Sequence, residues 1–192
     1  SGLIENVLDF SRVERGKSTY DFSDVDVNAI VTSAVDACRY RAEQDDVTID
    51  LRLDERSALL HADAQALQVA LVNLIDNGIK YGGHGNTVYV VVRRVGRKVE
   101  SIVADDGPGV KKDERQRVFE RFFRGEAHRG KSGVRGSGIG LAHVKHIADA
   151  HDGRIRIVGE SVLPAHGDAQ DVKPKGAIFV MTLPAKDGAS AS

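Results

Sequence analysis

Apolar side chains crowd the stretch Leu67–Tyr81, LQVALVNLIDNGIKY, which reads as a helix. Leu67, Leu71, Leu74 and Ile75 share one face. Val69, Val72 and Ile79 widen it until the helix is apolar nearly all round, the pattern of a buried helix. Asn73, Asn77 and Lys80 interrupt it at i, i+4 and i+7 and so form one polar stripe. Amides and an ammonium in that setting need partners, because an unsatisfied buried amide costs about 1–3 kcal/mol. Either the stripe is a structural network inside the core, or it lines a cavity holding something anionic together with a hard cation.

The pattern elsewhere predicts further elements. Residues 3–15 place Leu3, Ile4, Val7, Leu8 and Ser11 on one stripe, an amphipathic helix that Gly16 ends. Tyr20–Val27 reads as a short strand or extended entry. Asn28 is placed to cap a helix over Ala29–Ala42 with Ile30, Val31, Ala34, Val35 and Cys38 inward. Val47–Leu53 alternates as a strand does, and a turn leads to Asp63, the expected N-cap of the central helix. Glycines from Gly82 onward stop that helix. Thr87–Arg94 and Val99–Ala104 form a hairpin with Gly96 at its tip. Residues 111–124 read as a short charged helix carrying Phe119, Phe122 and Phe123. Residues 125–138 hold five glycines and no apolar period, hence a mobile loop. Ile139–His151 is a helix ended by Gly153, and Arg154–Val158 and Ala177–Leu183 are the last strands.

Composition narrows the class. The 192 residues are 41% hydrophobic and 29% charged, as in an ordinary globular protein. A net charge of −1 gives no reason to expect nucleic acid. The lone Cys38 excludes a disulfide framework and a multi-cysteine zinc site. No apolar run reaches the roughly 18 residues of a membrane span, so this piece is expected to be soluble, with any membrane anchor lying elsewhere. A start at Ser1-Gly2 that runs straight into helix-like sequence fits a piece of a longer protein.

Three glycine-bearing motifs bear on chemistry. Gly125–Ser132, GEAHRGKS, matches a P-loop letter for letter, yet no buried strand precedes it and GVRGSG cannot start a helix after it, so that reading is discarded. Asp105-x-Gly107-x-Gly109 follows a strand directly. A carboxylate there accepts from an exocyclic amine such as adenine's and repels a ring oxygen such as guanine's, although an ordinary Asp-Gly turn has the same letters. The neighbouring Asp106 is expected to tolerate Asn with little effect on binding. Gly136-Ser137-Gly138-Ile139-Gly140-Leu141 opens a helix and bares its N-terminus for phosphate.

In that order, N-x-x-x-N-x-x-K-Y, D-x-G-x-G, a Phe-rich turn, a glycine-rich loop and G-x-G-x-G, the sequence resembles the ATP-binding catalytic domain of sensor histidine kinases, in the GHKL ATPase superfamily. Asn73–Tyr81 resembles its N box, Asp105–Gly109 its G1 box, Val118–Arg124 its F box and Gly136–Leu141 its G2 box. The resemblance implies an α/β (α+β) two-layer sandwich, a mixed sheet covered on one face by helices, with a short N-terminal helix. It implies residues 1–17 as the end of a dimerisation helix, 18–186 as the ATP-binding domain and 187–192 as a disordered tail. By position, Asn77 would ligate Mg²⁺, Asn73 would contact phosphate or its hydration shell, Lys80 would pair with phosphate and Tyr81 would border the nucleotide. Asp105 would read adenine, with Gly107 and Gly109 letting the ring approach. Gly136, Gly138 and Gly140, with Leu141 closing the motif, would serve the lid and triphosphate, and Arg124, Lys131 and Arg135 would be lid cations.

The resemblance also implies ATP and Mg²⁺ as cofactors, and as partners a dimerisation and histidine phosphotransfer domain and a response regulator. None of the seven histidines fits the family's acceptor motif: His61, His84, His128, His151 and His166 are placed in turns or loops, and His143 and His146 on the G2 helix. The chain is therefore expected to be unable to label itself, and largely monomeric because residues 3–15 retain too little of a hairpin to bury a dimer core, its parent a homodimer. The other reading is a GHKL nucleotide-dependent switch, of the anti-sigma type, controlling a protein partner.

Overall fold

The computed structural model describes residues 20–54, 59–123, 138–159, 163 and 171–186. Along the chain run β1 (Ser23–Asp26), α1 (Val27–Gln44), β2 (Thr48–Arg52), β3 (Leu59–Ala62), α2 (Ala64–Gly82), β4 (Thr87–Val95), β5 (Lys98–Asp105), a single 3-10 turn (Arg117–Phe119), α3 (Gly140–Ala150), β6 (Arg154–Val158) and β7 (Ile178–Pro184). Five strands form one mixed sheet in the order β2-β4-β5-β7-β6, while β1 and β3 pair as a separate antiparallel ribbon. Only β2 and β4 are parallel, and α2 lies in the crossover that a parallel pair requires. β4 and β5 turn on Gly96-Arg97, with Val95 opposite Lys98. Gly96 sits at φ 61°, the left-handed conformation that a two-residue hairpin demands.

Strand alternation sorts the sheet into two faces. Val88, Val90, Val92, Val99, Val103, Phe179, Met181 and Leu183 point to the helices, where α2 lies between α1 and α3. Leu67, Leu71, Leu74 and Ile75 on α2 are fully buried there. Truncating any one of them to Ala would cost about 2–5 kcal/mol. The opposite face carries Tyr89, Val91, Ile102, Ala104, Ile178 and Val180, with Leu163 buried against them. Leu163 bridges Val172 antiparallel within the β6–β7 connection. Glu100, on this face, is held by Arg93 at 2.7 Å and Arg156 at 3.2 Å, which outweigh its burial and lower its carboxyl from the ordinary value. The two-layer mixed sheet with helices is as expected.

Several local expectations are corrected. Asp26, not Asn28, caps α1: its carboxylate accepts from Asn28 N at 2.9 Å, and the helix starts two residues earlier than read. The Asn28 side chain instead donates to Asp54 O, tying the start of α1 to the end of β2. The stretch read as a turn before Asp63 contains β3, so His61 lies on a strand; β3 is short and pairs only with β1. Residues 111–123 form turns and the 3-10 turn rather than a helix. Their charged run offers no apolar stripe to bury, and anchors fix it instead. The Arg117 guanidinium lies 4.6 Å from the Phe123 ring centre, and Phe119 meets Phe179 edge-on. Val69 is 36% exposed, so α2 has an open side where the sequence suggested burial nearly all round. The amphipathic segment 3–15, most of the glycine loop 125–138 and the tail from 187 lie outside the described residues.

Candidate functional site

Asp63 starts α2 by accepting from Ala66 N at 2.9 Å, and Gly83 ends it at φ 86°. The stripe of this helix lies on its half-buried flank, not in the core. Asn73 donates from Nδ2 to Val69 O, one turn back, at 2.9 Å. A methyl group on Gly140 would come 3.0 Å from Asn73 Oδ1, so the first residue of α3 abuts this amide. Asn77 has no hydrogen-bond partner among the described residues. Lys80 pairs with Asp76 on the same helix, and Tyr81 closes the stripe, half-buried. The Asn73 and Asn77 amides therefore form no core network with each other.

Asp105 ends β5 and is 4% exposed. Its Oδ1 accepts from Gly107 N at 2.8 Å and Ala177 N at 3.3 Å, while Oδ2 has no donor among the described residues. Burial pushes the carboxyl above its ordinary value; the two backbone donors oppose the shift and neighbouring Asp106 adds to it. Space around Asp105 is defined by backbone. A methyl at Gly176 would lie 2.0 Å from Asp105 Oδ1, and one at Gly107 would lie 2.9 Å from Gly82 Cα and Tyr81 O. Asp106 is itself tied into the fold. Its Oδ2 accepts from Tyr89 OH at 2.9 Å and its Oδ1 from Lys175 N at 3.1 Å. Its own N donates to Asn86 Oδ1 at 2.9 Å, and Asn86 Nδ2 donates to Gly78 O at 3.2 Å. Buried Asn86 thus staples the last turns of α2 to the end of β5.

The far wall comes from α3. No side chain caps this helix at Ile139, which leaves the first-turn amides to other acceptors. Gly138, at φ 69°, accepts from Phe122 N at 2.9 Å, and Phe122 itself is 72% exposed at φ 61°. Leu141 packs partly buried against the core, and Gly109 turns the chain away at φ 71°. The structure brings Gly140 against Asn73, and Gly107 against Tyr81 and Asp105; Asn77 and Lys80 lie on the same half-buried flank of α2, Gly109 follows β5, and Gly138 and Leu141 sit at the start of α3. Arg124, Lys131, Arg135 and Gly136 lie outside the described residues, as does the discarded P-loop match.

A model of the family described as histidine kinase-, DNA gyrase B- and HSP90-like ATPases matches residues 62–187. The chain belongs to this ATPase family. The sensor-like histidine kinase SenX3 of Mycobacterium tuberculosis is 38% identical over 156 residues, which are 81% of this chain and 37% of SenX3. AfsQ2 of Streptomyces coelicolor, a signal transduction histidine-protein kinase, is 34% identical over 182 residues, 95% of this chain and 30% of that protein. The solved ATP binding domain of PrrB from Mycobacterium tuberculosis is 27% identical with a TM-score of 0.63, covering 87% of this chain and 99% of that one. Full-length ShkA in complex with AMPPNP is 25% identical with a TM-score of 0.75, covering 98% of this chain and 36% of that one. The chain spans about a third of the length of the curated relatives it matches. It is an ATP-binding catalytic domain of the sensor histidine kinase type.

In this histidine-kinase ATPase domain the motifs fall where the fold can bring them together, but three contributors carried no signal of their own. Gly176 reaches Asp105 only through the β5–β7 pairing. Asn86 looked like part of a turn, and Asp106 like a duplicate of its neighbour. A fourth feature lies at the opposite end of α2. His151, at the C-terminus of α3, donates from Nδ1 to Ile147 O at 2.7 Å and accepts at Nε2 from Asp63 N at 3.0 Å, which fixes a neutral tautomer. Burial lowers its imidazole from the ordinary value, and Tyr20 and Phe22 stack against it. No helix among the described residues is long and apolar enough to cross a membrane.

Proposed function

We propose that this domain binds Mg-ATP and transfers the γ-phosphoryl group to a histidine on the dimerisation domain of its parent kinase, for relay to a response regulator. The observation that carries the reading is Asp105: one carboxylate oxygen is held by two backbone donors, the other has none among the described residues, and the surrounding positions are glycines that a methyl would fill. That carboxylate suits adenine's exocyclic amine, with Tyr81, Gly107 and Gly109 bordering the ring. Lys80 and the first-turn amides of α3 suit the phosphates, joined by Arg124, Lys131, Arg135 and Gly136 of the loop. Asn73 contacts phosphate or its water shell. The Asn77 amide, which has no side-chain partner among the described residues, fits magnesium, a hard cation that takes few protein ligands and many oxygens from phosphate and water. Bound magnesium supplies charge compensation on the phosphate oxygens. The chain's own contribution is positioning, since phosphoryl transfer needs an acceptor in line with the γ-phosphate.

That acceptor comes from elsewhere, and the parent works as a homodimer in the cytoplasm, with or without a membrane anchor outside this chain. The test is incubation with γ-labelled ATP, with and without an added hairpin bearing the family's histidine motif. We expect acid-labile, base-stable label on the hairpin alone, and Asn77→Ala should lose most of the magnesium-dependent part of ATP affinity. An unlabelled hairpin together with an ATP-dependent change in binding to another protein would favour the nucleotide switch instead.

A further inference from the structure

Lys80, on the flank of α2 that faces the nucleotide in the proposed function, does not stand alone. Its ammonium is paired with Asp76, one turn earlier on the same helix. To meet a phosphate, Lys80 must leave or share that carboxylate. The cost of doing so depends on what remains beside Asp76, because a half-buried carboxylate stripped of its only cation is poorly compensated. The structure supplies a second cation. Arg41, in the last turn of α1, places Nη1 2.9 Å from Asp76 Oδ1, the oxygen that Lys80 does not use. Asp45 Oδ2 lies 3.5 Å from Arg41 Nε, a second acidic neighbour at the C-terminal end of α1. Both Arg41 and Asp76 line an open groove of about 470 Å³ between α1 and α2 that also reaches Asn73.

We propose that Arg41 is a positioning residue for nucleotide binding: by compensating Asp76 from α1, it releases Lys80 to the phosphates. The inference rests on the reading of Lys80 as a phosphate partner, and none of the nucleotide-contacting motifs includes α1. It assigns α1 a part in setting phosphate affinity from outside the cleft. Because both Arg41 and Asp76 have solvent access, the effect belongs to the range of exposed ion pairs, about two- to fivefold in affinity.

The experiment measures calorimetric affinities for ADP and adenosine in excess chelator, so that metal held at Asn77 does not contribute. The proteins are the unmodified chain, Arg41→Gln, Asp76→Asn, their combination and Lys80→Ala. We expect Arg41→Gln to weaken ADP about two- to fivefold and leave adenosine unchanged. In the Asp76→Asn background Arg41→Gln should have no effect on ADP, since there is no carboxylate left to compensate. An equal loss in both backgrounds, an equal loss for adenosine, or no loss at all overturns the proposal. Lys80→Ala separates the two levels. If it weakens ADP while Arg41→Gln does not, only the role of Arg41 falls; if it leaves ADP unchanged, the phosphate reading of Lys80 falls and the role of Arg41 with it.

Discussion

Replacing Asp105 with Asn tests the adenine site with almost no change of shape. In the folded chain Oδ1 accepts from the backbone N–H groups of Gly107 and Ala177. An Asn amide must therefore keep its oxygen there, since a flip would set its NH₂ against two donors. The NH₂ then occupies the position of Oδ2 and faces the adenine amine as a donor against a donor. One hydrogen bond is lost and a buried polar group is left unmatched, which costs about 1–3 kcal/mol, or roughly five- to a hundredfold in affinity. Guanine, with an oxygen at the same ring position, should gain from the exchange, so the ADP-to-GDP affinity ratio should fall further than ADP affinity alone. Calorimetric titration of both nucleotides reads the ratio directly. The fold should not suffer, because Asn removes a buried charge. Burial raises the Asp105 carboxyl, so the native state binds its proton more readily than the unfolded chain. Its penalty is absent below the ordinary carboxylate value and grows as pH rises through the raised one. Above that window Asp105→Asn should be at least as stable as the unmodified chain in urea. An unchanged ADP-to-GDP ratio in a folded variant would refute the assignment of Asp105.

Two further outcomes follow from the same geometry. Gly176→Ala puts a methyl 2.0 Å from Asp105 Oδ1 and 2.6 Å from Gly107 N, so the carboxylate must move. Nucleotide affinity should drop at least about tenfold with a stability loss of about 1–3 kcal/mol, whereas Gly159→Ala, whose nearest neighbour stands at 3.4 Å, should leave both intact; normal binding by Gly176→Ala would count against the site. His151 has its imidazole lowered by burial, so the unfolded chain takes up this proton first. Its contribution to stability is full above the ordinary value of about 6.5 and is lost as pH falls through the lower folded value. Urea midpoints measured from neutral pH downward should fall for the unmodified chain. They should fall less for His151→Asn, which starts lower because Asp63 N and Ile147 O lose the imidazole; parallel slopes would dismiss His151 as the group responsible.

Much of the fold was legible in the sequence because local physics decided it. The periodicity of Leu67–Tyr81, the Asp63 cap, the Gly96 turn and the alternation of Val47–Leu53 each rest on neighbours within a few residues. The order of the boxes was likewise a one-dimensional signal, and it led to the ATPase family that the comparisons bear out. What only the tertiary structure decided involves partners far apart in the chain. β3 is too short to announce itself and exists through pairing with β1. The charged run after Gly109 looked helical by composition, but with no apolar stripe it follows the anchors of Phe119 and Phe123. The stripe on α2 reads identically in sequence whether it is core or flank; the half-buried setting of Asn73 and Asn77 and the approach of Gly140 put it on a flank of the helix outside the core. Gly176 lies 71 positions from Asp105, and Arg41 lies 35 from Asp76. Each meets its partner only because strands pair and helices pack side by side, and no pattern along the chain encodes the direction in which a side chain then finds its charge or its donor.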